Sequence, residues 1–260
     1  MTLPDIAIAV LIGFGAGVLS GVFGVGGGIA MTPGVQVLLG APPIIALATP
    51  LPVILPTAAV GAWRYHRAGE VNTRAAVWMG ASGAAAAGLG ALATKVIQPH
   101  LLLLATAALL GWQAASILRG AATRTGASAE PATPATSTTR FVIVGVAAGL
   151  ISGLLGIGGG LVMVPLMAGW LRMPLKQALG TSLLAITAIV IPGTIVHAAL
   201  GHIDWALAGA LTLGAVPGAR VGAGLAIGAR ERTLGVAVGS FLLLAAVAYG
   251  LSELWHLLKA

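Results

Sequence analysis

The chain contains no cysteine, which excludes disulfide bonds, thiolate metal ligands and cysteine nucleophiles. Charge is also scarce, because Asp, Glu, Lys and Arg together make up 7% of the residues. Hydrophobic residues make up 58%, and the mean hydropathy is +1.03. Too little polar surface remains to cover a soluble globule. The composition predicts a protein that is embedded largely in lipid.

The chain has only six acidic residues, and none belongs to a recognisable catalytic pattern. They lie in termini, loops or helix ends, at Asp5, Glu70, Glu130, Asp204, Glu231 and Glu253. An enzyme needs a nucleophile with a base, paired carboxylates or a metal cluster. No His-x-x-x-His spacing occurs, and Gly24-x-Gly26 lacks the third glycine of a dinucleotide fingerprint. We therefore predict that the protein is not an enzyme, with no catalytic residues, metal site or cofactor.

The net charge of +7 comes from Lys and Arg residues that lie singly or in small groups between apolar runs. A nucleic-acid-binding protein would carry a basic patch or stripe with interleaved aromatic residues. A membrane protein collects Lys and Arg in its cytoplasmic loops. We therefore predict that the lipid bilayer is a partner and that nucleic acid is not.

The most informative feature is an internal duplication. The segment SGVFGVGGGIAMTP at 20–33 returns as SGLLGIGGGLVMVP at 152–165, a shift of 132 positions. Two long apolar copies of one unit are typical of transporters. The first copy covers 1–120 and the second covers 140–260, and the polar segment 121–139 is predicted to be a linker.

The apolar runs predict an all-α polytopic membrane protein of about 8–10 helices. They lie at 5–23, 29–40, 44–63, 75–94, 99–118, 141–156, 161–171, 177–199, 205–228 and 233–255. Crossing a membrane takes about 20 residues, so 29–40 and 161–171 are too short to span it upright. These two runs are predicted half-helices that follow the glycine motifs, which gives each copy a broken or re-entrant helix.

The distribution of Lys and Arg predicts the orientation. If the two helices flanking each glycine motif enter and leave on one face, ten of these residues lie on one side and two on the other. If each motif lies inside a single broken crossing, the division is seven against five. The first arrangement fits the positive-inside rule better. It predicts a multi-pass membrane protein with two inverted-topology repeats, a cytoplasmic linker and both termini outside.

The glycine motifs predict breaks in two helices, because each glycine inside a helix costs about 1 kcal/mol relative to alanine. The residues concerned are Gly24, Gly26, Gly27, Gly28, Gly156, Gly158, Gly159 and Gly160. Irregular backbone at membrane depth must be buried in protein or line a water-filled cavity. The half-helices that follow would point their free N–H groups at an anion near the bilayer midplane. The alternative is that these glycines only allow close helix packing.

Several polar residues in apolar runs are further candidates. Thr49, Thr181 and Ser182, like Ser20 and Ser152, could donate hydrogen bonds to an anion; the alternative is a bond to the carbonyl four residues earlier. Arg220 and His197 are candidates for gating or a proton relay. The alternatives are that Arg220 extends its side chain to the interface and that His197 is hydrogen-bonded there.

The duplicated SGxxGxGGGxxxxP motif, with Ala-Leu-x-Thr at 46–49 and 178–181, resembles the TauE/SafE sulfite exporter family. The resemblance covers nearly the whole chain and implies a secondary carrier of sulfur-containing or organic anions. We therefore expect export of sulfite, a sulfonate or a related oxyanion by alternating access, with a proton or other ion as a possible coupling partner and with possible homo-oligomers. The alternative is a passive anion channel. Where the second copy has Ser182 and Asp204, the first has Pro50 and Asn72.

Overall fold

The computed structural model describes residues 3–93, 137–155 and 158–240, together with 108, 111–112, 114–115, 118, 243–244 and 246–247. Every regular element in these ranges is a helix. The helices are α1 (Leu3–Phe23), α2 (Gly28–Leu38), α3 (Pro43–Ala48), α4 (Pro50–Arg67), α5 (Thr73–Ala93), α6 (Thr138–Leu155), α7 (Gly160–Pro165), a π-helical turn (Leu166–Trp170), α8 (Leu175–Ala199) and α9 (Trp205–Gly228). Residues 231–240 are also helical.

The predicted class, a helical membrane protein, is confirmed in its main features. Within the described ranges, four helical stretches are long and apolar enough to cross a membrane: Leu3–Phe23, Ile44–Arg67, Leu175–Ala199 and Trp205–Gly228. The two predicted half-helices correspond to α2 and to α7 with its π-helical turn. Residues 121–136 of the predicted linker and most of the run at 99–118 lie outside the described residues.

Helix α1 of the first copy packs along α9 of the second copy through a row of glycines. Gly13, Gly17 and Gly21 of α1 face the carbonyl groups of Leu211, Ala215 and Ala219 of α9. A Cβ atom at any of the three glycines would collide with the facing carbonyl oxygen. Small residues therefore allow the two backbones to approach closely, as in other membrane helix pairs. Because both series of residue numbers rise together, the two helices are parallel.

The contact between α5 and α6 repeats this geometry. Gly145 and Gly149 of α6 face the carbonyl groups of Met79 and Gly83 of α5. Each of these four residues is the counterpart, at the shift of 132, of a residue in the contact between α1 and α9. The first helix of each copy thus packs on the last long described helix of the other copy. Equivalent positions of the two copies make these contacts.

The remaining contacts give the directions of the helices. Helices α4 and α8 are antiparallel, since Gly61 packs on Leu183 whereas Leu51 packs on Gly193. Helices α5 and α8 are parallel, because Gly80 and Gly83 of α5 pack on Ala185 and Ile189 of α8. Helices α4 and α9 contact each other both where they begin and near their ends, through Thr49 with Asp204 and Arg64 with Gly224. Helices α1, α4 and α9 therefore run one way, and α5, α6 and α8 run the other way.

We call the end of the bundle where α4 and α9 finish the basic end. It carries Arg64, Arg67, Arg74, Arg140, Arg172, Lys176, Arg230 and Arg232. Arg74 Nη2 donates to Thr138 Oγ1 at 3.3 Å, which joins the starts of α5 and α6. Lys176 Nζ donates to the Ile227 carbonyl at 2.6 Å, which joins α8 to α9. The sequence predicts that these loops lie on one side of the membrane. Their described residues all lie at this one end of the bundle.

We call the opposite end the acidic end, because Asp5 and Asp204 both lie there. They line a cavity of about 270 Å³ together with residues 39–42, Ile45 and Leu207. The side chain of Asp204 accepts a hydrogen bond from the Leu207 N–H at 3.0 Å and so caps the start of α9. At the basic end, Asn72 caps the start of α5 in the same way, since its Oδ1 accepts a hydrogen bond from the Ala75 N–H at 3.0 Å.

Candidate functional site

Each glycine motif forms the tip of a helical hairpin. In the first hairpin (3–38), α2 folds back along α1, because Gly34 packs on Ile12 and Gly27 packs on Ala16 and Ser20. In the second hairpin (138–170), Gly159 packs in the same way on Ala148 and Ser152 of α6. The first hairpin opens at the acidic end. The second opens at the basic end, where the Arg140 guanidinium carbon lies 5.8 Å from the centre of the Trp170 ring.

The tips need glycine because the backbone there is left-handed. The φ angles are +68° at Gly24, +81° at Gly26 and +82° at Gly27 in the first tip. In the second tip they are +86° at Gly158 and +74° at Gly159. Residues with a Cβ atom rarely adopt such angles, whereas glycine adopts them readily. Helix α1 therefore ends before the glycines, and α2 begins at Gly28.

The two tips contact each other in the centre of the molecule. A Cβ atom at Gly160 of the second tip would meet Val25 Cα of the first tip at 2.7 Å. Ile54 and Ile186, both fully buried, cover this contact, and their Cγ2 atoms lie 3.0 Å and 3.4 Å from the Cβ position of Gly26. Seven of the eight candidate glycines are brought together here; Gly156 lies outside the described residues.

The helices that leave the tips begin, like any helix, with N–H groups that have no acceptor within the helix. At Gly28 and Ile29 of α2, and at Gly160 and Leu161 of α7, these amides are buried with the tips. The N-cap residues of the two helices are Gly27 and Gly159, and glycine has no side chain that could accept a hydrogen bond from these amides. The N–H groups and the positive ends of the helix dipoles are thus suited to bind an anion.

Thr49 and Thr181 join the two copies. Thr49 Oγ1 accepts a hydrogen bond from the Asp204 N–H at 3.2 Å, and Thr181 Oγ1 accepts from the Asn72 N–H at 2.9 Å. Both hydroxyls are fully buried, and the two bonds are related by the shift of 132. In the described structure these hydroxyls hold the turns before α9 and α5, a role that sequence analysis did not predict.

Ser182 reaches the first tip directly. Its Oγ lies 2.8 Å from the Gly24 carbonyl and 2.8 Å from the Leu179 carbonyl, so its proton is shared between them. At the equivalent position of the first copy, Pro50 has no hydroxyl to make such a bond. The two tips therefore have different surroundings.

Three residues at or near the tips were not singled out from the sequence. Ile54 and Ile186 are counterparts at the shift of 132, and this repeated identity was the signal that could have marked them. Tyr65, buried in α4, donates from its hydroxyl to the Gly21 carbonyl at 3.0 Å, just before the first tip. Its counterpart in the second copy is His197, so the duplication gave no signal for this contact.

His197 and Arg220 lie on long helices and differ in their surroundings. His197 is half-buried near the end of α8, and its Nδ1 lies 3.2 Å from Nδ1 of His202. Arg220 is exposed, whereas its neighbours Gly218 and Gly222 face α1. Among the described residues, no group of three or more His, Asp or Glu side chains could hold a metal ion.

Comparison with known proteins gives the family. Residues 9–249 match the model of the family described as Sulfite exporter TauE/SafE. The chain is 31% identical to the "Probable membrane transporter protein YdhB" of Bacillus subtilis, over 83% of this chain and 88% of that protein. It is 30% identical to a "Probable membrane transporter protein" of Xylella fastidiosa, over 87% of each. No solved structure gives a significant match. The chain, a multi-pass membrane protein, therefore belongs to the TauE/SafE sulfite exporter family of membrane transporters.

Proposed function

We propose that this protein is a secondary transporter that exports a small anion by alternating access. The substrate class is sulfite, a sulfonate or a related sulfur oxyanion or organic anion. The observation that carries the proposal is the contact between two hairpin tips, each of which leads into the start of a helix. The first N–H groups of a helix have no acceptor within it. Discontinuous helices whose N-termini point at the substrate are typical of secondary transporters.

The anion binds between the two tips near the bilayer midplane, held by backbone N–H groups of both motifs. Fixed partial charges suit a carrier, because they attract the anion without the full charge of a Lys or Arg side chain. Ile54 and Ile186 cover the tips in this structure, so their side chains move when the anion enters. Ser182 then exchanges its bond to the Gly24 carbonyl for one to the anion.

Alternating access follows from opposite orientations of the two copies. The counterpart of α1 is α6, that of α4 lies in α8, and that of α5 is α9. In each pair the two helices run in opposite directions, which supports an inverted repeat. Exchanging the conformations of the two copies would then move access to the site from one side of the membrane to the other.

The basic end faces the cytoplasm of a bacterial inner membrane, since cytoplasmic loops collect Lys and Arg. This orientation places the segment 121–139 inside and both termini outside. His197 and His202, on the outer side, form a candidate relay for a coupling proton, because a close imidazole pair can hold one proton between its nitrogens.

Transport in proteoliposomes tests this function. The purified protein is reconstituted, and uptake of ³⁵S-sulfite is measured with thiosulfate, methanesulfonate and acetate as competitors. We expect saturable uptake and counterflow, in which unlabelled sulfite inside accelerates entry of label. The matched variants are Gly26→Val, which adds a side chain against Ile54 and Ile186, and Gly15→Val, where a Cβ has nothing within 4 Å. Flux without saturation and without counterflow would show a passive channel instead.

A further inference from the structure

Ser20 carries a buried hydroxyl that forms no hydrogen bond within the part of the chain that the structure describes. The residue is fully buried in α1, and its Oγ has no partner among the residues that the structure describes. Thr57, equally buried in α4, shows the usual alternative, since its Oγ1 donates to the Val53 carbonyl at 2.6 Å. A buried hydroxyl without a partner destabilises a folded protein, so such groups need an explanation.

The position of Ser20 suggests the explanation. Its Cβ lies 3.4 Å from the position that a Cβ of Gly27 would occupy, so the side chain packs against the residue that precedes α2. Helix α2 has 11 residues, and its N-cap Gly27 makes no side-chain hydrogen bond. The first amides, those of Gly28 and Ile29, lack acceptors within the helix. The Ser20 side chain, whose hydroxyl has no partner among the described residues, therefore packs beside the N-cap residue of α2.

We propose that Ser20 binds the transported anion, with its hydroxyl donating to an oxygen of a small oxyanion at the N-terminus of α2. This inference rests on the proposed function and names a residue of its site. Three donors then converge from one tip, the Ser20 hydroxyl and the amides of Gly28 and Ile29. They suit the oxygens of a sulfite or sulfonate group. The closest side-chain end at this place is Met31 Cε, 3.2 Å from the same Cβ position, and this flexible group moves aside.

The test compares Ser20→Ala with Thr57→Val in the purified full-length protein. Sulfite and methanesulfonate are the probes, and the readouts are thermal unfolding without anion and the dissociation constant for each anion. Ser20→Ala removes a hydroxyl that has no partner, so its unfolding temperature without anion should equal or exceed that of the wild type. Its dissociation constant should rise about tenfold, which corresponds to about 1.4 kcal/mol. Thr57→Val should bind both anions as the wild type does.

Three other results would overturn the inference. Unchanged affinity in Ser20→Ala, with wild-type binding intact, would remove Ser20 from the site and leave the proposed function standing. A lower unfolding temperature of Ser20→Ala without anion would show that the hydroxyl supports the fold. Absence of binding by the wild type to sulfite and methanesulfonate, and to thiosulfate and acetate as further probes, would overturn the proposed function itself.

Discussion

The hydroxyl oxygen of Thr49 accepts a hydrogen bond from the backbone N–H of Asp204, 155 positions away in the sequence. The same bond joins Thr181 to Asn72, so each copy supplies a threonine to the turn of the other. One bond lies at the start of α4 and the other within α8 near the basic end. These two hydrogen bonds join the copies on both sides of the hairpin tips. The two threonines are therefore the first residues to mutate.

Replacing Thr181 by alanine should destabilise the protein by about 1–3 kcal/mol, because the Asn72 N–H loses its acceptor. Thr181→Ser keeps the hydroxyl and serves as the control, with stability close to that of the wild type. Thermal unfolding of the purified variants measures the difference. An unfolding temperature of Thr181→Ala equal to that of the wild type would show that this bond contributes nothing to the fold.

Gly27→Val and Gly159→Val should each abolish anion binding. Their φ angles of +82° and +74° exclude a β-branched residue, at a cost of about 1–2 kcal/mol or more for each. An added Cβ would also lie 3.1 Å from the carbonyl oxygen of Ala16 or Ala148, so the strain falls on the hairpin itself. Gly15→Val is the control, and sulfite binding in both tip variants at wild-type affinity would refute the site.

The orientation can be tested by cysteine labelling, because the natural chain has no cysteine that could react. Ala68→Cys at the basic end and Ser128→Cys in the linker should react only with reagents that reach the cytoplasm. Leu200→Cys, in the exposed turn at the acidic end, should react from outside. Labelling of Ala68 and Leu200 from the same side would defeat the proposed inverted repeat.

Arg220→Gln should leave appreciable transport, since the Arg220 side chain is exposed and points away from the face that packs on α1. Arg220→Lys, which keeps the charge, is the control for effects on insertion. Uptake of ³⁵S-sulfite is compared at equal protein amounts in the membrane. Complete loss of uptake in Arg220→Gln with normal abundance would make this arginine part of the transport pathway.

His197→Gln should flatten the pH dependence of transport between about pH 5 and 8, the range in which imidazoles titrate. His202→Gln should have the same effect, because the two Nδ1 atoms lie 3.2 Å apart and act as one pair. Methanesulfonate is the appropriate substrate, since it stays fully ionised throughout this range. An unchanged pH profile in both variants would exclude the pair as a proton relay.

The sequence by itself determined the helical class, the membrane environment and most helix positions. The run predicted at 205–228 coincides with Trp205–Gly228, because a predominantly apolar segment of this length has few alternatives to a helix in lipid. It also located the glycine tips, since consecutive glycines disfavour a helix through their own backbone entropy. These properties depend on neighbours in the chain and on hydropathy, which can be read without knowledge of the fold.

Only the tertiary structure decided which side chains meet. Thr49 and Thr181 were candidates for direct anion contact, and the structure shows them bonded to turns of the opposite copy. The sequence showed neither the pairing of His197 with His202 nor the lack of a partner for the Ser20 hydroxyl among the described residues. A hydroxyl or imidazole can satisfy its hydrogen bond in several ways. The choice is made by the packing of helices that lie far apart in the chain, such as α1 against α9.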